Sequence, residues 1–231
     1  MVSKTILITG ANRGIGLEFV KQYANEQWQV IACCRNPNLA RELTAISDKH
    51  ANVDLFKLDI NNQDDIQRLK NRFSNKPLDC LINNAGVYGK SGETIATVSK
   101  ENMMNTFSSN VCGTLSICQA LLQPISNSEE KMIVTISSKM GSIDDNQSGN
   151  AYAYRASKTA LNAVMKSLAI DTKQEGIRVL ILHPGWVKTD MGGPNAAISI
   201  EESVTGMRHV IDNISTSDSG NFYNYDGSPI P

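Results

Sequence analysis

The stretch TILITGANRGIG, residues 5–16, passes from an apolar run through a glycine-spaced turn into a helical pattern. TILIT is rich in β-branched residues without alternation, the mark of a strand covered on both faces. From Ile15 to position 26 the apolar residues recur at helical period. A glycine turn between a strand and a helix is the setting in which backbone N–H groups cradle phosphate. Gly10 permits the tight turn, Gly14 the close approach of a pyrophosphate, and Gly16 the packing of helix on sheet. The spacing is G-xxx-G-x-G. Alone it fits an ordinary turn as well as a binding site, and its place after the first strand favours binding.

Outward from that turn the pattern repeats. WQVIACC, VDLFKL, LDCLIN, KMIVTIS and IRVLIL read as further buried strands, and helical period marks 38–49, 63–73, 100–122 and 151–174. Alternating strands and helices predict an α/β, doubly wound parallel sheet with helices on both faces, since parallel strands need right-handed crossovers. No repeat, low-complexity tract or Pro/Gly/Ser-rich linker divides the chain, so one domain spanning 1–231 is expected. The looser segments 139–150 and 185–198 follow strand ends. In an open α/β sheet the ligand crevice lies there, outside the carboxyl ends of the strands.

Composition narrows the class of ligand. With 22 basic against 23 acidic residues and no basic run, the chain lacks the electrostatic footprint of a nucleic-acid binder or of a polybasic membrane patch. The first apolar run is too short for a signal peptide or a membrane span. Five cysteines, none in CxxC spacing, read as reduced core residues, and a cytoplasmic protein is expected. A small, roughly neutral molecule is the expected partner, with no nucleic acid and no membrane expected. His50, His183 and His209 are scattered without ligand spacing, so no metal is expected. No GxSxG elbow marks a serine hydrolase. Gly89, Lys90 and Ser91 resemble the end of a P-loop, but Asn84 stands where its leading glycine belongs.

Past the second strand, where an NAD-binding fold carries an acid for the ribose hydroxyls, the chain has Cys34 and Arg35. An arginine fork pairs with a 2′-phosphate that a carboxylate would repel, and Arg13 adds a second cation. NADP(H) is favoured over NAD; two solvated surface arginines are the alternative.

In AYAYRASKTALNAV, Tyr154 and Lys158 stand one helical turn apart and share a face. An ammonium beside a phenol stabilises the phenolate, and the tyrosine becomes a usable general acid and base. A surface aromatic beside a solvated lysine would give the same spacing. The surroundings decide for chemistry: Ser138 ends a strand shortly before, able to bond a substrate carbonyl, and Asn110 interrupts a buried helical run where an amide needs a partner.

TGANRGIG, NNAG at 83–86, Asn110, Ser138, YRASK and HPGWVKTD at 183–190 together resemble the short-chain dehydrogenase/reductase (SDR) family in order and spacing, over nearly the whole chain. Within it the chain resembles C-factor and sniffer-like carbonyl reductases, through ISSKMGSIDDN and NYDGSPIP. The resemblance implies a single-domain Rossmann fold, a seven-stranded sheet of order 3-2-1-4-5-6-7. It also implies a catalytic set of Asn110, Ser138, Tyr154 and Lys158. Tyr154 would protonate the carbonyl oxygen, Lys158 bind the nicotinamide ribose and lower the phenol pKa, Ser138 orient the substrate, and Asn110 hold a relay water. For the cofactor it implies Gly10, Asn12, Arg13, Gly14, Ile15 and Gly16 in the turn, Arg35 at the 2′-phosphate, and Asp59 and Ile60 at the adenine. Asn84, Ala85 and Gly86 would line the adenosine ribose, and Pro184, Gly185, Val187 and Thr189 the carboxamide. By analogy a homodimer or homotetramer is expected.

Family members separate the serine from the tyrosine by about a dozen residues, whereas Ser138 to Tyr154 is longer, through DDNQSGN. Ser137 therefore stays open as the catalytic serine. The region after Gly185 is short, which implies a small or open substrate lid. Tyr88, Trp186 and Met191 follow strand ends and would line an apolar pocket or cover the core. Two functions are compatible with these residues and this resemblance: an NADPH-dependent reductase of aldehydes, ketones or quinones, and a C-factor-like signalling or regulatory protein that binds the dinucleotide with little turnover.

Overall fold

A computed structural model describes residues 4–231; residues 1–3 of the expected unit lie outside it. Seven strands form one sheet in the order β3-β2-β1-β4-β5-β6-β7, every neighbouring pair parallel. They are β1 (Thr5–Thr9), β2 (Gln29–Cys34), β3 (Val53–Lys57), β4 (Cys80–Asn83), β5 (Met132–Ile136), β6 (Arg178–His183) and β7 (Phe222–Asn224). The unalternating runs follow from a core on each face. Ile6, Ile8, Val134 and Leu182 point into one, with Phe19, Val20 and Tyr23 of helix α1 (Gly14–Asn25) and Val204, Met207 and Ile211 of α7 (Ile200–Asn213). Leu7, Leu81, Ile133 and Ile181 point into the other, packed on α3 (Gln63–Arg72), α5 (Thr114–Ser126) and α6 (Tyr152–Asp171). Each buried apolar side chain contributes roughly 1.5–3 kcal/mol, so both cores are needed to hold the sheet.

The helix expected over 100–122 is one rod of three parts. Helix α4 (Lys100–Phe107) passes through a π-type segment, Ser108–Gly113, into α5. The π turn contains Asn110, and the widened helix turn makes room for its buried side chain. The rod also runs past Leu122 and through Pro124, because Leu121, Pro124 and Ile125 are buried and tertiary packing outweighs the missing proline donor. The pattern over 38–49 resolves into a short 3-10 turn, Pro37–Leu39, and α2 (Arg41–Lys49). Helix α6 stops at Asp171, ahead of a 3-10 turn at Lys173–Glu175. Helix α7 lies outside the expected helices, and β7 is a strand of three half-buried residues.

The order reverses between β1 and β4, and the crevice opens there, at their carboxyl ends. The glycine turn follows β1, and NNAG closes β4.

Candidate active site

The turn after β1 and the loop after β4 are knit into one wall. Thr9 Oγ1 accepts the N–H groups of Asn84 and Ala85, each at 3.0 Å. Asn84 Nδ2 donates to the carbonyls of Thr9 at 3.0 Å and Gly10 at 3.1 Å. The Ala11 N–H donates to Cys33 O at 3.0 Å, fixing the turn to the end of β2. At this closeness Gly10 takes φ +65°, and a Cβ on Gly16 would lie 2.3 Å from Gly10 O. Asn84 thus braces the crevice from behind.

Helix α1 has no side-chain N-cap and no acid in its first turn, so its leading N–H groups keep their partial positive charge for an anion. Asn12 and Arg13 are exposed beside them, and Gly14 and Ile15 are half-buried. This donor set fits a pyrophosphate. Arg35 is exposed just beyond β2 and pairs with none of the described residues. Arg13 is engaged: its Nη1 donates to Asp190 Oδ2 at 2.6 Å, joining the glycine turn to the loop after β6. Asp59 accepts the Asn61 N–H at 3.0 Å, and Ile60 fills the space that Gly113 leaves open.

On the opposite side the segment after β6 folds back on itself. Ser203 Oγ of α7 donates to Pro184 O at 2.5 Å, and Val187 bridges to Ile198. Gly185 takes φ +83° against Ile198 and Tyr225, and Trp186 Nε1 donates to Gly192 O at 2.8 Å. Thr189 of this segment reaches within 3.5 Å of where a Cβ on Gly14 would stand.

Ser138, Tyr154, Lys158 and Asn110 come together beside this crevice, all buried. Tyr154 and Lys158 rise from α6, whose entry is held by three consecutive left-handed residues, Gly149, Asn150 and Ala151. Arg155 secures that loop by donating to Gly149 O at 3.1 Å and Ser148 Oγ at 2.8 Å. The Lys158 ammonium donates to Ile136 O at 2.9 Å and lies 5.8 Å from the Tyr154 ring centroid. Burial pushes the phenol up to about 12, against the pull of the Ser138 hydroxyl bonded to it, with the Tyr88 phenol adding to the rise. Burial alone pushes Lys158 down to about 8. In the protein by itself, then, desolvation outweighs any lowering of the phenol by the lysine.

The two serines part company. Ser138 Oγ accepts the Met140 N–H at 3.2 Å, which leaves its own proton for Tyr154. Ser137 turns toward α6 and donates to Asn162 Oδ1 at 2.5 Å. Asn110 spends its amide on the protein, accepting from Val87 N and donating to Val87 O and Ser157 Oγ.

Ser157 is a site residue that sequence reasoning missed. Its hydroxyl joins Asn110 to the Tyr154 carbonyl, and a small polar side chain three positions after Tyr154 was the available signal. Asp190 was missed as well, and no local pattern announces a pair so distant in sequence. His183 is half-buried at the end of β6, with burial pushing its imidazole down to about 4. Among the described residues no cluster of His, Cys, Asp or Glu is arranged to hold a metal, and no helix is long and apolar enough to cross a membrane.

The family model described as short chain dehydrogenase matches residues 4–198. The C-signal of Myxococcus xanthus is 42% identical over 155 residues, covering 67% of this chain and 93% of that protein. Among solved structures, the carbonyl reductase Sniffer of D. melanogaster superposes with a TM-score of 0.94 at 34% identity, covering 99% of both chains. The NADPH-bound carbonyl reductase from chicken fatty liver does so with a TM-score of 0.91 at 34% identity, again over 99% of both chains.

Proposed function

The chain belongs to the short-chain dehydrogenase family, and from that premise we propose that it is an NADP(H)-dependent oxidoreductase that reduces aldehydes, ketones or quinones to alcohols. The observation that carries this reading is the meeting of buried Ser138, Tyr154 and Lys158 at the mouth of the glycine crevice. The likeness to an NADPH-bound carbonyl reductase supports the cofactor.

The α1 N-terminus and the turn from Gly10 to Gly16 would hold the pyrophosphate, with Arg35 and Arg13 at the 2′-phosphate. Asp59 and Ile60 would meet the adenine, Asn84, Ala85 and Gly86 the adenosine ribose, Lys158 the nicotinamide ribose, and Pro184, Gly185, Val187 and Thr189 the carboxamide. Bound NADPH supplies the hydride. With substrate bound, Ser138 would turn its one hydroxyl proton from Tyr154 to the substrate carbonyl oxygen and orient it, and Tyr154 would deliver its own proton to that oxygen. A phenol held up at about 12 is fully protonated at neutral pH, the state a reductase needs at the start. The phenolate left behind gains from the Lys158 ammonium nearby. Both Asn110 donors are already filled, so its expected relay water would bind through the remaining lone pair of Oδ1. The protein would act in the cytoplasm, as a homodimer or homotetramer joined through the α4–α5 rod and α6.

NADPH consumption with a panel of carbonyl compounds tests the proposal, and turnover of at least one class is expected. A second reading, a signalling or regulatory protein with little turnover, has the likeness to the C-signal in its favour. NADPH binding without consumption by any carbonyl would select it.

A further inference from the structure

One side chain sets the course of the loop after β4. Asn110, only 1% exposed, accepts the Val87 N–H at 2.8 Å and donates to the Val87 carbonyl at 2.8 Å and to Ser157 Oγ at 3.0 Å. Gly86 makes room for that amide, since a Cβ there would stand 3.1 Å from Asn110 Oδ1. Farther along, Asn102 Oδ1 accepts the Lys90 N–H at 3.0 Å, and a Cβ on Gly89 would strike Thr106 Oγ1 at 2.6 Å. Held before and after, Tyr88 has a fixed place. Its ring centroid lies 4.7 Å from that of Tyr154, the planes inclined by 32°. Tyr154 is buried while Tyr88 is half-open.

We infer that Tyr88 is a specificity-determining residue, an aromatic wall beside the proton-donating Tyr154 that selects flat, conjugated carbonyl compounds such as aryl aldehydes, aryl ketones and quinones over aliphatic ones. The inference rests on the proposed carbonyl reduction and narrows it. A third ring between the two would need roughly twice the 4.5 Å closest approach of an aromatic pair, so the substrate lies alongside them. An aryl carbonyl whose oxygen reaches the Tyr154 hydroxyl carries its ring next to that carbon, within range of the open part of Tyr88. Aromatic pairing there is worth about three- to tenfold in binding, and an alkyl chain does not gain it.

The test compares benzaldehyde with hexanal for the wild-type chain, Tyr88→Phe and Tyr88→Leu, with NADPH affinity measured for each. Tyr88→Leu is expected to lower kcat/KM for benzaldehyde about three- to tenfold, mainly through KM, and to leave hexanal within about twofold. Tyr88→Phe keeps the ring and the preference. Equal change for both aldehydes in Tyr88→Leu, or no change in their ratio, overturns the assignment. A second arm measures benzyl alcohol and hexanol binding to the NADP+ complex by tryptophan fluorescence. If the wild type turns over neither aldehyde, carbonyl reduction is what fails, and this arm still decides on Tyr88: selective weakening of benzyl alcohol in Tyr88→Leu supports it, and equal affinities in both proteins overturn it.

Discussion

The Lys158 ammonium donates to the carbonyl of Ile136 at 2.9 Å, so the cation beside Tyr154 is anchored to the last residue of β5 and not to the phenol oxygen. A buried ammonium is costly: burial pushes the Lys158 pKa down to about 8 from 10.5, a cost on the order of 3 kcal/mol.

Between pH 8 and 10.5 the unfolded chain keeps the lysine proton that the folded chain has released, so this group makes stability rise with pH across that window. Lys158→Met should therefore be more stable than the wild type at pH 7, by up to about 3 kcal/mol less the lost hydrogen bond, and the gap should shrink by pH 10. Urea unfolding at the two pH values checks this; a variant less stable at pH 7 by an amount independent of pH would refute it.

Gly16→Ala tests the braced turn. The added Cβ would stand 2.3 Å from Gly10 O and 2.5 Å from Asn84 Nδ2, so α1 and the turn must separate. A loss of about 1–3 kcal/mol is expected, together with at least about tenfold weaker NADPH binding, because the phosphate cradle moves. Gly92→Ala is the control: its φ of +76° makes it strained too, but nothing lies within 4 Å. It should cost about 1–2 kcal/mol and leave NADPH affinity alone. Calorimetry on the two variants separates strain from site geometry.

Arg35→Ala should raise the NADPH Kd by about 10- to 100-fold and leave NADH nearly unchanged, as expected from losing a hydrogen bond to a charged group. Arg13→Ala should do less, because Arg13 is already paired with Asp190 and must give up that partner to meet a phosphate. Equal weakening of both dinucleotides by Arg35→Ala would remove the 2′-phosphate assignment.

Which parts of the fold are legible in sequence follows from burial. Strands β1, β2, β4, β5 and β6 are almost wholly buried, so selection for apolar residues is unbroken and the runs stand out. The edge strand β7 has three half-buried residues and leaves no such run. Helix α7 carries Gly206 where the Tyr225 carbonyl would come within 2.7 Å of a Cβ, a tertiary demand that weakens its own helical signal. The π turn at Asn110 shifts the register within six residues, too few to alter a periodicity. The Tyr154–Lys158 pair is legible because one helix presents both, whereas which of Ser137 and Ser138 meets Tyr154 depends on how the chain turns each hydroxyl after β5. The bond from Arg13 to Asp190 spans 177 positions and is visible only in three dimensions.

Whether the Tyr154 phenol gives its proton to a carbonyl as hydride arrives is decided by single-turnover NADPH oxidation in Tyr154→Phe. The ring and its packing on Tyr88 remain, and only the hydroxyl is gone. A fall of about 10²- to 10⁴-fold in the rate, with NADPH affinity within about threefold of wild type, is the predicted result. Oxidation at the wild-type rate by the cofactor-loaded variant would contradict it.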